Sequence, residues 1–203
     1  WSLYESKTVD SAWPLPDQRL EELAQDPEWT PLPELSTYAV LFNCASDLLS
    51  DPALREALSL AIDRPALAQA AGTAALPAEG LVPPGVPEND EGDFRALNAA
   101  LLDNSPESYE ARCTQARALL EEAGYNSGAD LGELEFLYLK NDVNDAVAQV
   151  LCQQWQEVLS VQAVPKGLPE RELMSALRAG EYALAGLSLT ASANDAECFL
   201  MSW

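Results

Sequence analysis

Residues 36–85, STYAVLFNCASDLLSDPALREALSLAIDRPALAQAAGTAALPAEGLVPPG, read as a strand, a capped helix, a second helix and a loop rich in Pro and Gly. Tyr38 to Asn43 is β-prone and apolar at alternate and intervening positions alike, the pattern of a strand covered on both faces. Asp51 is placed to cap a helix with Pro52 at its first position, where a missing N–H costs nothing. Ala53, Leu54, Ala57, Leu58, Ala61 and Ile62 recur at helical spacing and form one buried stripe. Asp63-Arg64-Pro65 breaks that helix and starts the next.

Outward from this stretch the chain alternates. Ser105 and Pro106 open a helix that runs to Gly124, with Tyr109, Cys113, Ala116, Leu120 and Ala123 on its buried stripe. Beyond it come a strand at Leu134 to Leu139, a helix at Val143 to Leu159, a strand at Val161 to Val164, a helix at Glu170 to Arg178 stopped by Gly180, and a strand at Tyr182 to Leu189. Short links between these predict right-handed crossovers, three parallel strands and helices over the sheet. Ala71 to Asp103 is a long loop region, of the kind that is functional or mobile in a compact domain. Pro16 to Gln25 carries Leu20, Leu23 and Ala24 on a short helix. Pro27, Pro31 and Pro33 keep the next residues extended.

The chain has 203 residues, 48% of them hydrophobic, enough to bury a core in one domain. Its formal charge is -22, which repels nucleic acid and anionic membranes. The charge is spread over helix faces as a solvated acidic shell, with no block of like charges to signal disorder. No apolar run approaches twenty residues, and neither an n-region nor an h-region of an export signal is present. His is absent and Cys44, Cys113, Cys152 and Cys198 stand far apart, so a zinc site is not expected. Those four cysteines allow three full disulfide pairings, among which the sequence does not choose. No GxSxG elbow, SxxK pair or phosphate-cradling glycine loop is present, so no enzyme activity and no cofactor are expected.

DPALREALSLAIDRPAL, preceded by Phe42-Asn43 and followed by GLVPPGVP at Gly80 to Pro87, resembles the second lobe of the extracytoplasmic solute-binding proteins of peptide ABC transporters, the oligopeptide, dipeptide and nickel binders. YEARCTQARALLEEAGY at 109–125 is similar to the family's DPEKARALLAEAGY segment. YESKTVDSAWPLP at 4–16 is similar to its YEAGEIDWAGGPLP run, a short helix and a strand (Val9 to Trp13) beside the hinge. The resemblance implies a periplasmic-binding-protein-like α/β lobe over 36–203, with 1–35 as a hinge-side lead-in associated with the other lobe. It also implies an internal piece of a longer exported protein, so that Trp1 is not the natural start. Trp1, Trp13 and Trp29 either face the surface that the missing lobe covers or pack in the core. If the chain enters along Tyr38–Asn43 and leaves along Tyr182–Leu189 through one hinge, those strands are antiparallel and the sheet is mixed.

The function implied is capture of a small peptide between two lobes and its delivery to a membrane permease, outside the cytoplasm and in some members as a lipoprotein. The alternatives are a ligand-sensing domain of a regulator with this fold, or a binder of another solute such as nickel or haem. GLSLTASANDAECFL at 186–200 is similar to the family's GWCADYNEPTSFL run at the cleft, which places Ser188, Leu189, Thr190 and Ser192 on the ligand. The family's aspartate, partner of a peptide's amino terminus, is replaced by Ser192, and its aromatic by Leu189. Asn194 and Asp195 are either a turn pair or, through Asp195, a shifted anchor. KGLPERELMSALR at 166–178 is similar to a helix that shows one face to the ligand; there Glu170 replaces an aromatic, Met174 is core or contact, and Arg178 is expected to pair with surface carboxylates. Tyr38 and Asn43 bound the entering strand, Asn43 as a structural hydrogen-bonder or a cleft contact.

Overall fold

A computed structural model describes residues 1–11, 19, 22–23, 25, 34–72, 75–88 and 92–201. A four-stranded sheet in the order β1-β6-β4-β5 forms its centre, from β1 (Ser36–Phe42), β4 (Glu133–Leu139), β5 (Gln162–Leu168) and β6 (Leu184–Thr190). β4 runs parallel to both β5 and β6, whereas β1 is antiparallel to β6 in a register from Ser36↔Thr190 to Phe42↔Leu184. The sheet is therefore mixed, as expected. β5 extends past the expected Val164 through Pro165 to Leu168. Its position at the edge of the sheet tolerates the proline.

The helices of the deciding stretch, α2 (Pro52–Leu60) and α3 (Arg64–Ala71), start as their sequence dictates. Asp51 accepts from Ala53 N at 2.9 Å and Asp63 from Ala66 N at 3.3 Å. They pack with α5 (Pro106–Glu122) and α6 (Asp142–Leu159) over one face of the sheet, around Leu54, Leu58, Leu120, Phe136, Leu151 and Trp155. The other face is covered by α7 (Glu170–Ala179), through Leu173 against Leu137 and Ala185. β1 meets both layers, Val40 and Phe42 on the first and Leu41 on the second. Gly124 and Gly180 end α5 and α7 with positive φ. Ser105 holds the N-cap position of α5, but its side chain makes no capping bond; Ser108 Oγ turns back to the Ser105 carbonyl instead.

The junction between α2 and α3, Ala61 to Arg64, is bonded to side chains from elsewhere in the fold. The carbonyls left open there are met by side chains from α5 and α6 and by Arg64 of the junction itself. Trp155 Nε1 donates to the Leu58 carbonyl at 2.9 Å, Tyr109 Oη to Ala61 at 3.2 Å, Arg112 to Ile62 at 3.2 Å, and Arg64 to Ser59. Gln154 bonds both the N–H and the carbonyl of Asp63. Cations at a helix C-terminus also face its negative end, which favours them. Burial, and then the neighbouring Arg112, pull the Arg64 guanidinium down to about 10.

The expected loop from Ala71 to Asp103 holds more structure than its composition indicates. A hairpin, β2 (Pro87–Glu88) with β3 (Gly92–Asp93), is followed by a helical turn, α4 (Phe94–Leu97). Val82 and Val86 are buried with Phe199 of α8 (Glu197–Leu200), and Leu35, Phe94, Ala191 and Ala196 pack around them. The loop is thus pinned onto the turn after β6. At the start of the chain α1 (Ser2–Glu5) is helical, and Val9 and Asp10 form bends rather than the expected strand. Ser11 is likewise not in a strand, and Ala12, Trp13, most of the Pro16–Gln25 helix and Trp29 lie outside the described residues.

Candidate functional site

Because β4, β5 and β6 are parallel, their C-terminal ends, Leu139, Leu168 and Thr190, lie along one edge of the sheet. Ligands bind such sheets outside the carboxyl ends of the strands. β1 begins at the same edge, where Thr190 Oγ1 and Ser36 Oγ stand 3.1 Å apart. From there the chain turns through Ala191 to Ala196 into α8, with Ser192, Asn194 and Asp195 exposed.

The alternation of β6 divides the residues expected on the ligand. Ser188 and Thr190 share a face with their partners Tyr38 and Ser36, whereas Leu189, opposite Thr37, shares the α7 face. Glu170 is exposed at the start of α7, on that same edge, and Met174 is half-buried in the α7 cluster as core packing. Arg178 is exposed in the last turn of α7 and makes no ion pair with a described carboxylate.

Two of the expected residues are occupied elsewhere. Asn43 lies past the opposite end of β1, where its amide donates to the carbonyls of Gly180, at 3.0 Å, and Tyr182, at 2.8 Å, and accepts from Ala45 N. It stitches the start of β6 to β1 and is remote in register from Ser188–Thr190. Tyr38 turns inward: a Cβ on Gly186 would run into its Oη and stand 2.8 Å from Phe136. Burial first, then Tyr138 and Cys152, push the Tyr38 phenol well above its usual range, and its hydroxyl has no hydrogen-bond partner among the described residues. Burial likewise pushes the Cys152 thiol up to about 12. Cys113 and Cys152 are buried thiols and Cys44 an exposed one.

Asp195 takes the turn role of the two left open for it. Its Oδ1 accepts from Glu197 N at 2.8 Å, fixing the turn into α8, while the side chain also lines a shallow depression of about 340 Å³. The remaining walls are Pro87, Glu88, Phe94, Asn194 and Ala196. Glu88 is held by the Asn98 amide, and Asp93 of the same hairpin is held well below the usual carboxylate range by backbone N–H groups of Gly85 and Ala96. The hairpin walls went unread in the sequence. The signal for them was the spacing of Val82, Val86 and Phe94, apolar anchors in an otherwise Gly- and Pro-rich loop. Lys140 and Asn141, exposed just beyond β4, also lie on this edge. Ser192 is exposed, with its Oγ 3.8 Å from Cys198 Sγ.

Known proteins resemble this chain in sequence and fold. The chain is 29% identical over 202 residues to the probable deoxycholate-binding periplasmic protein YgiS of Escherichia coli strain K12, covering 98% of this chain and 36% of that one. It is 24% identical over 190 residues to the oligopeptide-binding protein OppA of Bacillus subtilis strain 168, covering 92% and 33%. It thus spans about a third of the length of these relatives. Among solved structures, OppA of Burkholderia pseudomallei superposes with a TM-score of 0.77 at 25% identity, over 98% of this chain and 38% of that one. OppA of Haemophilus influenzae in complex with RPPGFSPFR has the same fold, with a TM-score of 0.76 at 24% identity, over 98% and 38%. No helix among the described residues is long and apolar enough to cross a membrane. The family model for bacterial extracellular solute-binding proteins, family 5 Middle, matches residues 1–203, and the chain belongs to that family.

Proposed function

We propose that this chain is one lobe of the solute-binding component of an ABC importer, which captures a small peptide between itself and a second lobe and hands it to a membrane permease. The observation that carries the reading is the common edge: three parallel strands end there, and β1 starts from it beside the end of β6. A lobe entered and left at one edge is free to swing as a body, and closure then buries the solute against those strand ends. Residues 36–203 form the lobe and residues 1–35 its hinge-side lead-in. The protein works outside the cytoplasm, and a lipid anchor on the whole protein is consistent with that role.

Ser188, Leu189, Thr190 and Ser192 meet the solute, with Glu170 at the flank and Asp195 as a carboxylate displaced from position 192. A second reading is favoured by one observation. Where a peptide's amino terminus needs a counter-charge, Ser192 offers only a hydroxyl, and the relative YgiS is named as a probable deoxycholate-binding protein. An amphipathic non-peptide solute fits hydroxyls beside Leu189 better than a charged terminus does. Mass spectrometry of the material that denaturation releases from the purified full-length protein separates the two. A ladder of short peptides supports the first reading. One non-peptide species overturns it in favour of the second, and an empty protein points to a sensor or to another solute such as nickel or haem.

A further inference from the structure

The chain holds 33 Asp and Glu against 11 Lys and Arg, and the fold diverts most of its arginines away from those acids. Arg55 donates to the carbonyls of Leu49 and Ser50, Arg64 to Ser59, Arg95 to Asn98 and Ala99, Arg112 to Ile62 and Arg117 to Val158. Among the described residues the ion pairs are Arg19 with Glu5 and Glu22, and Lys166 with Glu135, all of them exposed. Glu107, Asp142 and Glu170 stand in the first turns of α5, α6 and α7, where the helix dipole favours acids, but the opposite ends of most of these helices carry no matching base. α5 ends in Glu121 and Glu122, at the negative end of its dipole, and α2, α3, α5 and α6 have no basic residue in their last turns. Glu107, Glu110, Glu121 and Glu122 are all exposed on this one helix.

We infer that the folded lobe is under net electrostatic self-repulsion that dissolved salt relieves, so that ionic strength sets how tightly its helical layer is held. Unpaired like charges raise the free energy of the compact state relative to the expanded chain. Their reach shrinks from about 30 Å at 0.01 M salt to about 3 Å at 1 M. Arg64, Arg112 and Arg117 cannot turn outward to relieve this without opening the ends of α2 and α6 that they close. The inference is independent of which solute the protein binds.

Amide hydrogen exchange of the full-length protein, read on peptides from α5 and α6 across an NaCl series, tests it. Exchange is expected to slow by about tenfold or more between roughly 0.02 and 0.5 M and then level off, as screening saturates. A triple variant, Glu110→Gln, Glu121→Gln and Glu122→Gln, should exchange more slowly than the parent at about 0.02 M and respond less to salt. Flat or rising exchange overturns the inference. So does slowing that continues unabated above about 0.5 M and is equal in the variant, because that is the signature of general salting-out of apolar surface.

Discussion

The α2–α3 junction and the turn after β6 are both rich in polar groups, and the fold treats them in opposite ways. At the junction Trp155, Tyr109, Arg112, Arg64 and Gln154 are each committed to a backbone group of α2, α3 or the link between them. At the turn Ser192, Asn194 and Asp195 stand exposed, beside a depression with further polar groups in its walls. An unmet carbonyl in a core costs more than the bond that meets it gains, so polar groups at the junction are under obligation. Those at the turn are free to meet a solute. The contrast teaches that the most recognisable string of the chain builds the lobe, while the less constrained one is left exposed at the strand ends where we propose the solute binds.

The largest expected effect breaks the junction. Trp155 is fully buried, edge-on to Phe136, and donates to Leu58. Trp155→Ala should cost about 3–5 kcal/mol in urea unfolding, and Trp155→Phe, which keeps most of the ring but strands the Leu58 carbonyl, about 1–3 kcal/mol. If the Phe variant is as stable as the parent, the junction's hydrogen bonds do not bear on the fold and the contrast fails.

Next is the crossing of β1 and β6. Gly186→Ala places a methyl against Tyr38 Oη and should cost about 1–3 kcal/mol. Tyr38→Phe removes a buried hydroxyl without a partner among the described residues and should be neutral or stabilising. The double variant should lose less than the sum of the two, because part of the clash is with the hydroxyl itself. Additivity would show that the alanine is rejected for some other reason. Asn43→Ala should lower stability by about 1–3 kcal/mol with solute affinity in the intact lobe unchanged; a weakened affinity at unchanged stability would return Asn43 to the binding surface.

Acid sharpens the comparison on the hairpin. Hydrogen bonds from Gly85 and Ala96 lower the folded-state pKa of Asp93 below its unfolded value. Its contribution is therefore present above the unfolded pKa and is lost as pH falls through the folded one. Hydrogen exchange of the 85–98 segment should accelerate in acid, and Asp93→Asn should blunt that response; equal acid sensitivity in the variant would remove Asp93 from the account. The smallest effect on stability belongs to the turn. Ser192→Asp should change it by no more than about 0.5 kcal/mol. If the solute is a peptide, the variant should bind free amino termini more tightly and acetylated ones no better. An equal response from both would move the amino terminus away from position 192.

Much of the fold was legible because local chemistry and pattern agreed. Asp51-Pro52 and Asp63-Arg64-Pro65 start helices wherever they stand, and the alternating periods from Leu134 onward leave few topologies. The site was less legible. Ser188, Leu189 and Thr190 are neighbours in sequence, yet the pleat sends the middle one to the other face of the sheet. Tyr38 and Asn43 bound one strand, but pairing places them near opposite ends of its partner. Glu88 and Phe94 joined Asp195 only because Val82 and Val86 dock on Phe199, a residue remote from them in sequence.

The amino-acid sequence by itself determined the helix starts and stops, the strand segments, the acidic shell and the family resemblance, because capping, periodicity and charge act over a few residues. Tertiary structure alone decided which arginines meet carbonyls rather than acids, which hydroxyls face outward, and which loop walls the depression beside Asp195. Those choices depend on which distant groups share a buried volume. The free energy that settles them comes from burying apolar surface around polar groups that must then be satisfied.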